Sequence, residues 1–203
     1  DDLLENNSFK YYFESYYKLK PIIDLYMELL YTKGISPVRL FLNVIQALET
    51  YHSRFKAGSM KEFKDRVKWL TDGRTDKMES FLLGKSKNFI TLESRLADLI
   101  IAEYQVFFRT GDFKRTEFPS VVANTRNYYI HYNESIKEKT RILSEEELSI
   151  YNNCLLMILD YYIYLELGFS EHQKLKEKLT QRWGSVQTKL DLKKAFDDKY
   201  EKK

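Results

Sequence analysis

The residues best equipped for chemistry stand together at Thr125-Arg126-Asn127-Tyr128-Tyr129-Ile130-His131-Tyr132. An imidazole can move protons near neutral pH, a guanidinium offers a fixed cation to a phosphate, and an amide can orient either one. Together they form a kit for cleaving a phosphodiester without a metal. In a chain with three histidines, an Arg five places before a His arises by chance with odds of roughly one in seven, and requiring Asn beside the Arg lowers this to about one in a hundred. On a helix, at about 100° per residue, Asn127 and His131 share a face with Asn124, whereas Arg126 lies about 140° from His131. Helix geometry alone does not bring Arg and His together. A long guanidinium can still swing towards a cleft at the helix edge, particularly if a second copy of the same helix packs across it.

Other side chains could assist. Glu49 and His52 sit one turn apart on a helical stripe and could hold the arginine or fix an imidazole tautomer; the alternative is a structural pair at a helix boundary. Tyr128 and Tyr132 could stack unpaired bases, or pack in a core or dimer surface with the hydroxyl in water. Lys114 and Arg115, with Arg109, form one basic cluster, and Lys61, Lys64, Arg66 and Lys68 form another. Either cluster could meet RNA or be a solvated helix face. Cys154 lies in an apolar run with no His at catalytic spacing and reads as a small buried hydrophobe. A third reading of His131 has it satisfying only a buried hydrogen bond.

The segment Arg126-Asn127-Tyr128-Tyr129-Ile130-His131 resembles the R-N-x-x-x-H motif of the HEPN superfamily of ribonucleases. Phe41 to His52, Phe-Leu-Asn-Val-Ile-Gln-Ala-Leu-Glu-Thr-Tyr-His, is similar to the early helix of the ApeA-like branch, tied to bacterial anti-phage defence. The likeness spans roughly Ser36 to Gly168. It implies an all-α, HEPN-like bundle of four to six main helices in up-and-down order, with peripheral helices. It also implies a metal-independent endoribonuclease acting as a homodimer, with the Arg and His of both protomers lining one cleft.

The elements that must position these residues follow from periodicity and caps. Residues 1–35 read as a helical lead-in, with Phe9, Tyr12, Phe13 and Tyr16 at helical spacing and Pro21 restarting a short helix. Ser36-Pro37 is a helix start, and Phe41, Val44, Leu48, Tyr51 and Phe55 form the stripe expected to face the core. Ser59 to Glu62 is a capping box, Thr71 to Arg74 is turn chemistry, and the stretch around 59–90 reads as an insertion. Thr91 caps a helix with Leu92, Leu96, Leu99, Ala102 and Val106 on its buried face. Pro119 opens the motif helix. Ser144-Glu145-Glu146-Glu147 is a second capping box, opening what reads as the longest helix, with Leu148, Tyr151, Leu155, Ile158, Tyr162 and Leu165 as its seam. Gly168 closes the 36–168 core, and 169–203 reads as peripheral helices.

Composition sets limits. A chain of 203 residues can bury a proper core as one domain. A net charge of +3 is too mild to identify a nucleic-acid binder by itself. The lone cysteine excludes an intramolecular disulfide framework and fits a reducing cytoplasm. No apolar run reaches membrane-spanning length. The first residue is Asp1, so we expect a piece of a larger protein whose upstream part carries sensing or partner binding. No cofactor or metal is expected, since nothing resembles a metal-ligand cluster or a phosphate-binding glycine loop. The partners expected are RNA, as tRNA or mRNA, and a second copy of the chain. The rival reading is a non-catalytic helical module that binds RNA, a nucleotide or a partner protein in the same cleft.

Overall fold

The computed structural model describes residues 8–56, 90–99 and 117–169. Every regular element among them is helical, so the all-α expectation holds. In chain order these are α1 (Ser8–Tyr31), α2 (Pro37–Tyr51), a π-helical turn (His52–Lys56), α3 (Leu92–Leu99), α4 (Phe118–His131), α5 (Glu134–Lys139) and α6 (Glu145–Glu166). The capping box at 59–62, the turn at 71–74, the insertion up to 89, the basic clusters with Lys114 and Arg115, and the helices beyond Phe169 lie outside the described residues. No helix among the described residues is long and apolar enough to cross a membrane.

The core is built on α6 and α2, which pack most closely, with α1 laid against both and α4 joined to them through α2 and α3. Reciprocal capping starts α6: the Ser144 N–H donates to Glu147 Oε2 at 2.8 Å, and the Glu147 N–H donates to Ser144 Oγ at 3.3 Å. From there the helix is buried on almost every side. Leu148, Tyr151, Leu155, Ile158 and Tyr162 of the expected seam are buried, and so are Cys154, Met157 and Leu159. A helix apolar all round belongs inside a bundle. At its end Gly168 adopts a φ of 84°, which a side chain would resist, and its N–H donates to Leu165 O at 3.0 Å.

In α2 the stripe Phe41, Val44, Leu48 and Tyr51 is buried together with Ile45 and Ala47. Ser36 caps it, accepting the Arg39 N–H at 3.3 Å, with Pro37 in the first turn. The Asn152 amide of α6 donates to Pro37 O at 2.9 Å, tying the two main helices where α2 begins.

One helix departs from the sequence reading. Pro21 does not restart a helix: α1 runs unbroken through it for 24 residues, which makes α1 longer than the 22-residue α6. Its buried positions are Leu19, Ile22 and Leu29, while Phe9 and Phe13 face solvent. A proline inside a helix deprives the carbonyl four residues earlier of its donor. That carbonyl belongs to Tyr17. Arg54, on the π-helical turn, donates through Nη1 to Tyr17 O at 2.7 Å and to Lys18 O at 3.3 Å. The guanidinium thus replaces the missing backbone donor and pins α1 to the end of α2.

Two outcomes follow. Arg54→Ala should lower stability in urea titrations by about 1 kcal/mol, and less in a Pro21→Ala background, where a restored backbone N–H reaches Tyr17 O. Equal losses in both backgrounds would show that the carbonyl is not what Arg54 serves. Burial pushes the Cys154 thiol up to about 12, so at pH 8 it stays protonated and should react with a thiol reagent only once urea unfolds the chain.

Candidate functional site

The motif helix starts in the core and ends in solvent. Phe118, Pro119, Val121, Val122, Ala123 and Thr125 of α4 are buried, Arg126 to Tyr129 are half-buried, and Ile130 and His131 are exposed. Pro119 occupies the first turn, as expected, and the Glu117 side chain makes no cap. The helix stops at Tyr132, whose φ of 48° is left-handed and whose N–H donates to Tyr128 O. For a residue with a side chain that conformation costs on the order of 1 kcal/mol. His131 is therefore the last residue of a rigid element.

Arg126 is held on two sides. Its Nη1 donates to Asn127 Oδ1 at 3.2 Å, and its Nη2 lies 3.9 Å from Glu49 Oε2 on α2. With the two side chains 33% and 36% exposed, such a long pair contributes about 1 kcal/mol at most. Glu49 steers the guanidinium more than it locks it. No hydrogen bond or ion pair among the described residues joins Arg126 to His131, and His131 has none there. One protomer does not assemble the Arg-His pair, in line with the 140° separation. Nor does the exposed His131 serve a buried hydrogen bond.

His52 goes elsewhere. It is fully buried on the π-helical turn, where Nε2 meets Asp98 Oδ2 of α3 at 2.9 Å and Nδ1 has no partner among the described residues. Beside it, Arg95 donates through Nη1 to Ser53 Oγ at 2.7 Å and through Nε to Ile90 O at 3.2 Å. These contacts fasten α2 to α3. Glu49 and His52, one turn apart, serve different partners.

The tyrosines form a cluster. Ring centroids lie 5.1 Å apart for Tyr128 and Tyr129, 5.9 Å for Tyr128 and Tyr132, and 6.3 Å for Tyr129 and Tyr132. The Tyr128 hydroxyl donates to Glu134 Oε1 at 3.2 Å, and Lys137 Nζ lies 5.8 Å from its ring centroid. The Tyr129 hydroxyl donates to Leu143 O at 3.2 Å; burial, and then the Glu145 carboxylate, hold its pKa above the usual phenol value. With α5 and the segment leading to α6, these rings line a cleft of about 530 Å³ that also takes in Arg141 and Glu145. Sequence reasoning named Tyr128 and Tyr132 but missed Lys137 and the whole of α5. The signal was present: Asn133 accepts the Ser135 N–H at 3.0 Å as a cap, with Glu134 in the first turn and Lys137 and Lys139 in the last.

The family model for the Apea-like HEPN matches residues 42–173, well over half of the chain. The chain belongs to the Apea-like HEPN family. No curated protein and no solved structure matches it. The matched stretch begins within α2 and ends beyond α6, so Glu49, His52, Arg126, Asn127 and His131 all fall inside the HEPN region. It also contains Lys114 and Arg115, whose placement lies outside the described residues.

One wall of the tyrosine-lined cleft depends in part on a buried hydroxyl. Thr125 Oγ1 donates to Val121 O at 2.7 Å and accepts the Leu143 N–H at 2.9 Å, both bonds buried. Thr125→Val keeps the shape but strands that N–H, so stability should fall by about 1–3 kcal/mol, whereas Thr125→Ser should retain most of it. Urea titration of the two variants separates loss of the bond from loss of the methyl group.

Proposed function

We propose that this HEPN chain is a metal-independent endoribonuclease of the bacterial anti-phage, abortive-infection or toxin type, working as a homodimer on tRNA or mRNA. The observation that carries the proposal is an intact Arg126-Asn127-x-x-x-His131 motif in which the arginine is restrained by Asn127 and Glu49 and the histidine stands exposed at a helix end.

RNA lies in a groove between two protomers. The 2′-hydroxyl attacks the adjacent phosphorus while an imidazole takes its proton; the bond from phosphorus to the 5′-oxygen breaks, and that oxygen receives a proton. His131 serves as the general base or acid, Arg126 stabilises the charge on the phosphorane, and Asn127 and Glu49 hold the guanidinium in place. The products are a 2′,3′-cyclic phosphate and a 5′-hydroxyl. The nucleophile belongs to the substrate and the cation to the protein, so the step calls for no divalent ion. DNA, lacking the 2′-hydroxyl, is not cut. Helix pitch sets Arg126 and His131 of one chain about 140° apart, so in this reading the arginine of one protomer works with the histidine of the other.

Cleavage of labelled tRNA and mRNA in EDTA tests this. The parent should cut with cyclic phosphate ends, and His131→Ala and Arg126→Ala should each lose on the order of 100-fold or more. Glu49→Gln should lose less. Mixing the two inactive variants should restore cutting, because a mixed dimer keeps one intact Arg126 facing one intact His131. Full cutting by His131→Ala would remove the histidine from the mechanism. RNA binding by the parent without cleavage would instead favour the binding module.

A further inference from the structure

The motif helix presents two sectors. On its wheel Asn127 fills the short arc between Arg126 and His131, while Tyr128 lies about 60° beyond His131 and Tyr129 about 60° before Arg126. Tyr128 is thus one turn from His131 and Tyr129 one turn from Arg126, and both rings line the cleft of about 530 Å³, which Arg126 and His131 themselves do not line. Pockets for small ligands span about 300–1,000 Å³, and this one falls within that range.

Its chemistry is selective. Arg141 is bonded to Glu147 and to Ile142 O, and the Glu145 carboxylate and the Lys137 ammonium both line the cleft, so opposite charges offset there. Lys137 supplies one cation at the outer edge, over the Tyr128 ring. What enters must be held mainly by rings. Tyr132 is 66% exposed, yet its ring is propped by two others: Tyr129 meets it at 90° and Tyr128 at 60°. Such edge and tilted contacts fix a ring while leaving a face free. A flat ligand stacking there finds a surface already ordered, and a nucleobase is the flat group that a ribose-phosphate chain at Arg126 and His131 would bring along.

Resting on the ribonuclease reading, we propose that the cleft between α4, α5 and the start of α6 is a subsite for one unpaired nucleobase next to the scissile phosphate, with Tyr132 as the stacking platform and Lys137 meeting the phosphate beyond it. A paired base cannot offer its face to Tyr132, so the subsite confines the enzyme to single-stranded segments.

The test is fluorescence anisotropy with a fluorescein-labelled, 2′-O-methyl 12-nucleotide RNA, which cannot be cut, as a single strand and annealed to its complement. Tyr132→Asn removes the ring but tolerates the left-handed backbone; Tyr132→Phe keeps the ring; Lys137→Gln removes the cation outside α4. Tyr132→Asn should bind the single strand about tenfold more weakly. Tyr132→Phe should bind like the parent, Lys137→Gln should weaken binding at low salt only, and the duplex should bind all four proteins equally. Single-strand binding indifferent to both Tyr132→Asn and Lys137→Gln would overturn the subsite while leaving the ribonuclease reading intact. Equal losses on single strand and duplex would also overturn it, since stacking would not be the cause. A parent that binds neither form would overturn the subsite together with the RNA reading beneath it.

Discussion

The peptide of Leu143 is held from both sides by one helix. Its N–H donates to Thr125 Oγ1 at 2.9 Å and its carbonyl accepts the Tyr129 hydroxyl at 3.2 Å, two residues one turn apart on α4. The segment between α5 and α6 has no ladder of its own, so its buried backbone groups must find partners elsewhere. Here the motif helix supplies them. Ser144, the next residue, caps α6, so the two bonds tie the motif helix to the start of the central helix. The wall of the tyrosine-lined cleft, the start of the longest buried surface and the orientation of Tyr129 all depend on that one peptide.

Arg126 illustrates a different balance. Deep burial of its charge would demand complete pairing, and full exposure would leave a long side chain free to wander. It is half-buried instead, with an amide at 3.2 Å and a carboxylate at 3.9 Å. Two weak restraints narrow the side chain's range without using all five of its N–H donors. A guanidinium in that condition is oriented yet still able to accept a phosphate. The turn that follows Glu49's helix is locked by contacts of its own: His52 to Asp98, Ser53 to Arg95, and Arg54 to the carbonyl freed by Pro21.

Much of this was legible in the residues. Caps at Ser36, Thr91 and Ser144 and the prolines at 37 and 119 marked helix starts, because each signal is local chemistry. The stripe on α2 and the seam on α6 identified core positions, since periodicity reports burial directly. The angular gap between Arg126 and His131 followed from helix pitch. What escaped depended on long-range partners. Pro21 looked like a break because nothing near it in sequence reveals Arg54 as the substitute donor, 33 positions on. The aromatics at helical spacing in α1 did mark a helix, but its buried positions are Leu19, Ile22 and Leu29, while Phe9 and Phe13 are exposed. His52 looked like a companion of Glu49, and Asp98 of a different helix claims it.

The end of the motif helix joins these threads. A left-handed residue at a helix C-terminus is usually glycine, which carries no steric cost; here it is a tyrosine, and the cost is accepted. Glycine would end the helix equally well and would leave His131 in the same place. Only a residue with a ring, thrown off the helical path by that conformation, can lie across Tyr128 and Tyr129 with a face left open. The turn that halts α4 one residue beyond His131 is also the turn that builds the aromatic surface beside it.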